Sequence, residues 1–219
     1  MNYLELRPLR LQDESLFLDE LLNWNGEDLS WYSIDWPPGA SFAQMIERLD
    51  KNRRGIDVPE DFVPATMLYG FLKLPEVQPL ASIYQNQSNQ QNIPNQLSHH
   101  NNSSIKHDCQ NTCQSTNTTA IVGYIHIRHH LNENLNLHSG HIGYAIAPKY
   151  RRQGYATQLM NLALAYCRDH LGLKRILITC SDANAPSIRI IEKVGGILEN
   201  KVPDLDQQLL IRRYWLEIL

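Results

Sequence analysis

A chain of 219 residues is long enough for one sizeable core and short for two, and its formal net charge of −3 gives no global reason to expect nucleic acid or an anionic membrane as partner. No apolar run approaches the roughly 20 residues that span a bilayer, and the N-terminus lacks a basic stretch followed by an apolar one, so a cytoplasmic, single-domain protein is expected. Two of the four cysteines, Cys167 and Cys180, fall in apolar periodic segments, which argues against a disulfide framework.

In chain order, Tyr3-Leu4-Glu5-Leu6-Arg7 alternates like a strand, and Leu18, Leu21 and Leu22 predict a first helix ending near Gly26. Trp24, Trp31, Tyr32 and Trp36 follow, interleaved with Glu27, Asp28 and Asp35; aromatic walls with carboxylates would suit a cationic amine, while packing is the plainer role for tryptophan. Ser41-x-x-Gln44 is a capping box opening a second helix, with Phe42, Met45, Ile46 and Leu49 on one face and Gly55 beyond its end. Two strands are expected next, from Thr66 to about Leu72 and from Ala120 to Arg128. Between Gln85 and Thr119, 24 of 35 residues are Asn, Gln, Ser or Thr, too polar to offset ordering entropy by burial. A low-complexity insertion at about 85–119 is therefore expected, as a tolerated spacer or as an arm for a partner or substrate. Within it, His107, Cys109 and Cys113 have part of a zinc-site spacing but no fourth ligand, and no metal is expected.

Ile142-Gly143-Tyr144-Ala145-Ile146-Ala147 is short, apolar and stopped by Pro148, as a sheet-interior strand would be. Leu159, Leu162, Ala163 and Tyr166 recur at helical spacing, predicting a helix from near Gly154 to about His170, with Gly172 after it. The basic turn between them sits at a helix N-terminus, where unpaired amides and the helix dipole form an anion site. Gly154 lets a ligand approach the backbone, and Arg151 and Arg152 add charge. Neither a P-loop nor a Gly-x-Gly-x-x-Gly fingerprint is present. Arg175 to Cys180 reads as another buried strand, and Asn184 to Ser187 as a helix start followed by Ile188, Ile191 and Val194 at helical spacing, with Gly195-Gly196 as the stop.

The Arg-Arg-x-Gly-x-Ala run, Arg151 to Ala156, resembles the pyrophosphate loop of the GNAT superfamily of acetyl-CoA-dependent N-acetyltransferases. Asn184, Ser187, Glu192, Lys193 and Gly195 match that superfamily's following helix, and Arg213 to Ile218 its last strand. The resemblance covers residues 120–219. It implies an α/β (α+β) fold: a mixed, mostly antiparallel twisted sheet with helices on both faces, opened as a V for the cofactor. It also implies acetyl-CoA as cosubstrate and a small-molecule or peptide amine as acceptor, with neither nucleic acid nor membrane as partner and a homodimer allowed for. Gln153, Gly154, Tyr155, Ala156 and Thr157 would bind pyrophosphate, with Arg151 and Arg152 supplying charge. Asn184 and Ser187 would flank the pantetheine or adenine end, and a free amide near Ile146 or Ala147 would face the thioester carbonyl.

An amine must lose its proton before attacking a thioester, so a base is needed. Five of the nine histidines, His126, His129, His130, His138 and His141, bracket the strand that should carry the oxyanion donor. His141 is the first candidate base and Glu133 the second. Many superfamily members place a tyrosine before Glu-Lys-x-Gly, where it can protonate the leaving sulfur; this chain has Ile191 there, so the acid stays open between Tyr144, Tyr155 and water. That departure also leaves room for a non-catalytic acetyl-CoA-binding module, a sensor or interaction protein.

Overall fold

A computed structural model describes residues 4–24, 27, 36–74, 119–204 and 208–218. Strands β1 (Leu4–Arg7), β2 (Ala65–Lys73), β3 (Thr119–Arg128) and β4 (Ile142–Ile146) form one sheet in that order. Strands β5 (Arg175–Ser181), β6 (Ile197–Asp204) and β7 (Leu209–Glu217) form a second sheet in the order β5-β7-β6. The expected α+β class holds, with the sheet divided in two and every described ladder antiparallel.

Eight of the nine residues of β2 are buried, which requires cover on both faces. Tyr69 and Gly70 are adjacent and so point to opposite faces. Phe17 of α1 (Glu14–Leu22) meets Tyr69 edge-on at 5.8 Å, and Leu159 of α3 (Tyr155–Leu171) packs into the space a Cβ at Gly70 would need. Helices therefore lie on both faces. Phe17 also contacts Trp36 and Phe42, and this cluster sets the rotation of α1: Phe17 and Glu20 point inward, while Leu18 and Leu22, expected on the core stripe, are exposed. Helix α2 (Phe42–Arg53) opens with the expected capping box, Gln44 N donating to Ser41 Oγ and Ser41 N to Gln44 Oε1. Helix α4 (Ala185–Lys193) is capped by Asn184.

The Asn/Gln-rich stretch is flanked by paired strands, Lys73 lying opposite Thr119, and residues 75–118 lie outside the described residues. Trp31, Tyr32, Asp28 and Asp35 lie outside them as well, as do His107, Cys109 and Cys113. Strand β6 has no counterpart among the expected elements. It is an exposed edge strand containing Pro203, so it lacks the buried alternation that marks a strand in sequence.

The two sheets meet just before β4. An isolated bridge pairs Gly140 with Ile178, His141 N donates to Leu177 O at 2.7 Å, and Leu177 N donates back to His141 Nδ1 at 3.0 Å. No ladder continues between β4 and β5 beyond this point. Gly140 is required twice over, because its φ is +63° and a Cβ would lie 2.5 Å from Leu177 O. Gly140→Ala should therefore cost on the order of 1–3 kcal/mol in chemical denaturation with an unchanged m-value. A variant as stable as the parent would contradict the tight seam.

Candidate active site

Beyond the seam, β4 is an edge strand. Tyr124 faces Ala145, Gly123 faces Ile146, and Ala147 N donates to Val122 O at 3.0 Å. Residues of an antiparallel pair alternate between turning N–H and C=O toward the partner strand and away from it. With Ala147 turned to β3, the Ile146 amide points outward, where no acceptor among the described residues takes it. Its carbonyl also points outward and accepts from Arg151 Nε at 2.8 Å. Of the two expected donors, Ala147 is thus corrected: its N–H is spent within the sheet.

The turn after β4 tightens through Pro148–Tyr150 and passes through two left-handed residues, Arg152 at φ +60° and Gly154 at φ +83°. Gly154 precedes α3, and a Cβ built on it meets nothing within 4 Å, so that side of the backbone is open. The amides of Arg152, Gln153, Gly154, Tyr155, Ala156 and Thr157 have no acceptor among the described residues; the next, Gln158 N, returns to Gly154 O. Successive free amides at a helix start make an anion-binding concavity. Arg151 is not free to serve it: its Nε is on Ile146 O, and its NH1 and NH2 grip the Glu27 carboxylate at 2.7 and 2.6 Å. Arg152 remains exposed at the mouth, and Gln153 Nε2 donates to Lys149 O.

Across the opening between the sheets, Tyr144 OH donates to Ser187 Oγ at 3.1 Å. Asn184 Oδ1 accepts from Ser187 N, which places this serine in the first turn of α4. Burial holds the Tyr144 hydroxyl above its ordinary pKa, so it stays protonated at neutral pH. Ile191 is wholly buried in the core.

A cavity of about 390 Å³ opens beside the same strand. Tyr144 and Gly143 of β4 line it, with His126 and Arg128 of β3 and apolar Met67 and Val63. Two of the expected tryptophans do other work: Trp24 is buried against Tyr124, and Trp36 packs on Phe17.

The profile of the acetyltransferase (GNAT) domain matches residues 58–197. The chain belongs to the GNAT acetyltransferase family. The uncharacterized N-acetyltransferase YnaD of Bacillus subtilis (strain 168) is 36% identical over 58 residues, which are 26% of this chain and 34% of that protein. The match thus spans about a third of that curated relative's length. Among solved structures, a candidate ribosomal-protein-serine acetyltransferase from Vibrio cholerae superposes with a TM-score of 0.52 at 17% identity, over 98% of this chain and 93% of that one. A chimera of the Vibrio cholerae spermidine N-acetyltransferase SpeG with hSSAT gives 0.50 at 17% identity, over 98% and 94%. At these identities the likeness is one of fold. GNAT proteins take acetyl-CoA and amine acceptors.

Titratable groups around the cleft of this GNAT family member differ from those expected. His141 is buried, its pKa driven down to about 4 chiefly by that burial, and its Nδ1 lone pair is occupied by Leu177 N–H. A neutral ring in that state carries its proton on Nε2 and has no lone pair for another, so His141 is corrected from base to seam residue. Glu133 is exposed, in a segment that turns into a π-helical stretch at Leu135–Ser139. His129 Nε2 is 2.8 Å from Thr66 Oγ1, and His138 Nδ1 is 3.2 Å from Asn134 Oδ1. His126 faces the cavity without a hydrogen-bond partner among the described residues, and burial together with the Arg128 charge lowers its pKa to about 3.

One unexpected group is Glu20, which shares the inward face of α1 with Phe17. Its Oε1 is buried without a partner among the described residues, and burial pushes its pKa from an ordinary 4.5 up to about 7, against the pull of Asn23 and Lys149. The i, i+3 spacing from Phe17 was the available sequence signal. Because the folded pKa lies above the unfolded one, this carboxyl's contribution is fully present below about pH 4.5 and is lost as pH rises through about 7. Glu20→Gln should thus gain on the order of 1–3 kcal/mol over the parent at pH 8, with little difference at pH 4.5, in parallel urea titrations. Coincident pH profiles would contradict the raised pKa.

Proposed function

We propose that the protein is an N-acetyltransferase that moves the acetyl group of acetyl-CoA to a primary amine by direct attack in a ternary complex. The observation that carries this reading is the run of unpaired amides from Arg152 to Thr157 next to the outward-facing amide of Ile146. The first would hold the pyrophosphate, helped by the dipole of α3 and the Arg152 charge. The second would donate to the oxygen of the thioester carbonyl as it becomes an oxyanion. Pantetheine would lie along the outer edge of β4, between that strand and the Asn184–Ser187 start of α4.

The amine nitrogen attacks the carbonyl carbon, a C–N bond forms, and the C–S bond then breaks to release CoA thiolate. His126 faces the cavity, but a ring whose pKa burial lowers to about 3 cannot take the proton of an ammonium of pKa about 10, so no described side chain is assigned as base and water carries the amine's proton away. The Tyr144–Ser187 pair, a protonated phenol donating to a hydroxyl between β4 and α4, is the group we place nearest the leaving sulfur. One well-placed oxyanion donor of this kind supplies about 3–4 kcal/mol of transition-state stabilisation.

We take residues 1–219 as one acetyltransferase domain with an insertion at about 85–119, working in the cytoplasm, where the free thiols of Cys167 and Cys180 would persist. A non-catalytic acetyl-CoA-binding module is the second reading, favoured by Ile191 where a proton-donating tyrosine is common. A free-thiol assay separates the two, since the module releases no CoA with any amine.

The loop assignment is tested by calorimetry with acetyl-CoA. Gly154→Asp should weaken binding at least tenfold, because a carboxylate then stands beside the phosphates. Gly154→Asn, which tolerates positive φ comparably and is uncharged, should lose clearly less. Equal affinities for parent and Gly154→Asp would remove the pyrophosphate from this turn.

A further inference from the structure

The cavity beside β4 contains a charge that no described residue in its walls balances. Arg128 is half-buried and lies over Gly143, where a Cβ would sit 3.9 Å from both NH1 and NH2. NH1 donates weakly, to Ser139 O at 3.3 Å and Gly140 O at 3.2 Å. Nε and NH2 have no acceptor, and no carboxylate pairs with the guanidinium, among the described residues. Among the described residues the cavity lining includes no Asp or Glu; apart from His126 and Asn52, these walls are mainly apolar, among them Phe62, Val63, Met67 and Leu135. A partly desolvated guanidinium with an open fork is costly until an anion fills it, and its planar geometry fits a carboxylate bidentately.

We propose that the acceptor is a free amino acid with an apolar side chain, bound through its carboxylate to Arg128 so that its amine faces the thioester. This specificity rests on the acetyl-transfer reading of the cleft. Gly143, under the guanidinium, and Ile146, which turns its amide outward, are three residues apart on one strand, about 10 Å. Contacts of about 3 Å at the guanidinium and at the attacked carbonyl use most of that span. What remains suits an amine and a carboxylate on the same carbon, not the two ends of a peptide. The product is the N-acetylamino acid, with CoA thiol released. A polyamine is disfavoured by the same geometry, because its second ammonium would lie beside Arg128 with no carboxylate among the described lining residues to receive it.

The test compares leucine and methionine with leucinamide, methioninamide and spermidine on CoA-saturated protein by calorimetry, and on acetyl-CoA-charged protein by thiol release. The parent should bind leucine or methionine at least tenfold more tightly than the matching amide. Arg128→Gln should bring that ratio near one while acetyl-CoA affinity and melting temperature hold, and Arg128→Lys should restore part of it. Tighter or equal binding of an amide or spermidine to the parent overturns the proposal, as does a preference that survives in Arg128→Gln. The carboxylate preference without CoA release upholds the Arg128 site and sinks the transferase reading. CoA release with spermidine alone upholds transfer and sinks the Arg128 site.

Discussion

The site depends on a two-way backbone clamp between His141 and Leu177. His141 gives its N–H to the Leu177 carbonyl and takes the Leu177 N–H on its ring nitrogen, while Gly140 brings the chains closer than any side chain would permit. Two buried polar groups are satisfied at one point, which makes the seam expensive to open. Its position sets where the cleft begins. The strands are joined before β4 starts and are not laddered afterward, so the whole outer edge of β4 lies along an opening. An edge strand in that setting normally invites another strand; here Tyr144 and Ser187 bridge the gap with a single side-chain hydrogen bond, and the backbone between stays available.

Charge is distributed around this opening by backbone geometry more than by side chains. The positive character at the start of α3 comes from amides left unpaired by two left-handed residues, and it persists at any pH. Arg151, the obvious cation of the turn, is neutralised by Glu27 and holds the turn to Ile146. Among the described residues the formal positive charge that remains inside is Arg128, on the cavity side of β4, where it adds to burial in lowering the pKa of His126. In the proposed reaction, dipoles at one end of the strand would favour phosphate and the guanidinium at the other an acceptor carboxylate, with the reacting carbonyl between.

The C-terminal half was well legible because its signals are local. Asn184 caps its helix, Gly172 takes φ +64° at the end of α3, and Pro148 ends the strand, each where the residue type requires it. The turn at Arg151 to Ala156 could be read as a strand-to-helix turn with Gly154 at its end from the same logic. What could not be read depends on which partner a group finds. His141 and His126 are fifteen positions apart with similar neighbours, yet one has its ring lone pair taken by β5 and the other faces a cavity. Periodicity located α1 but misjudged its rotation, because an aromatic cluster built from Phe17, Trp36, Phe42 and Tyr69 outweighed Leu18 and Leu22. Glu20 was hidden for the same reason. Ile146 and Ala147 could not be separated without the register of β3 on β4.

The central claim is that the seam leaves the Ile146 amide free while Ala147 is bound, and that the free amide is the one the acetyl donor uses. Amide hydrogen exchange followed residue by residue, with and without acetyl-CoA, tests it most directly. The account predicts that Ala147 is protected in both states, whereas Ile146 and Gly154 to Thr157 exchange rapidly in the free protein and slow together on binding. Protection of Ile146 before ligand is added, or no change there when acetyl-CoA saturates the protein, would contradict it.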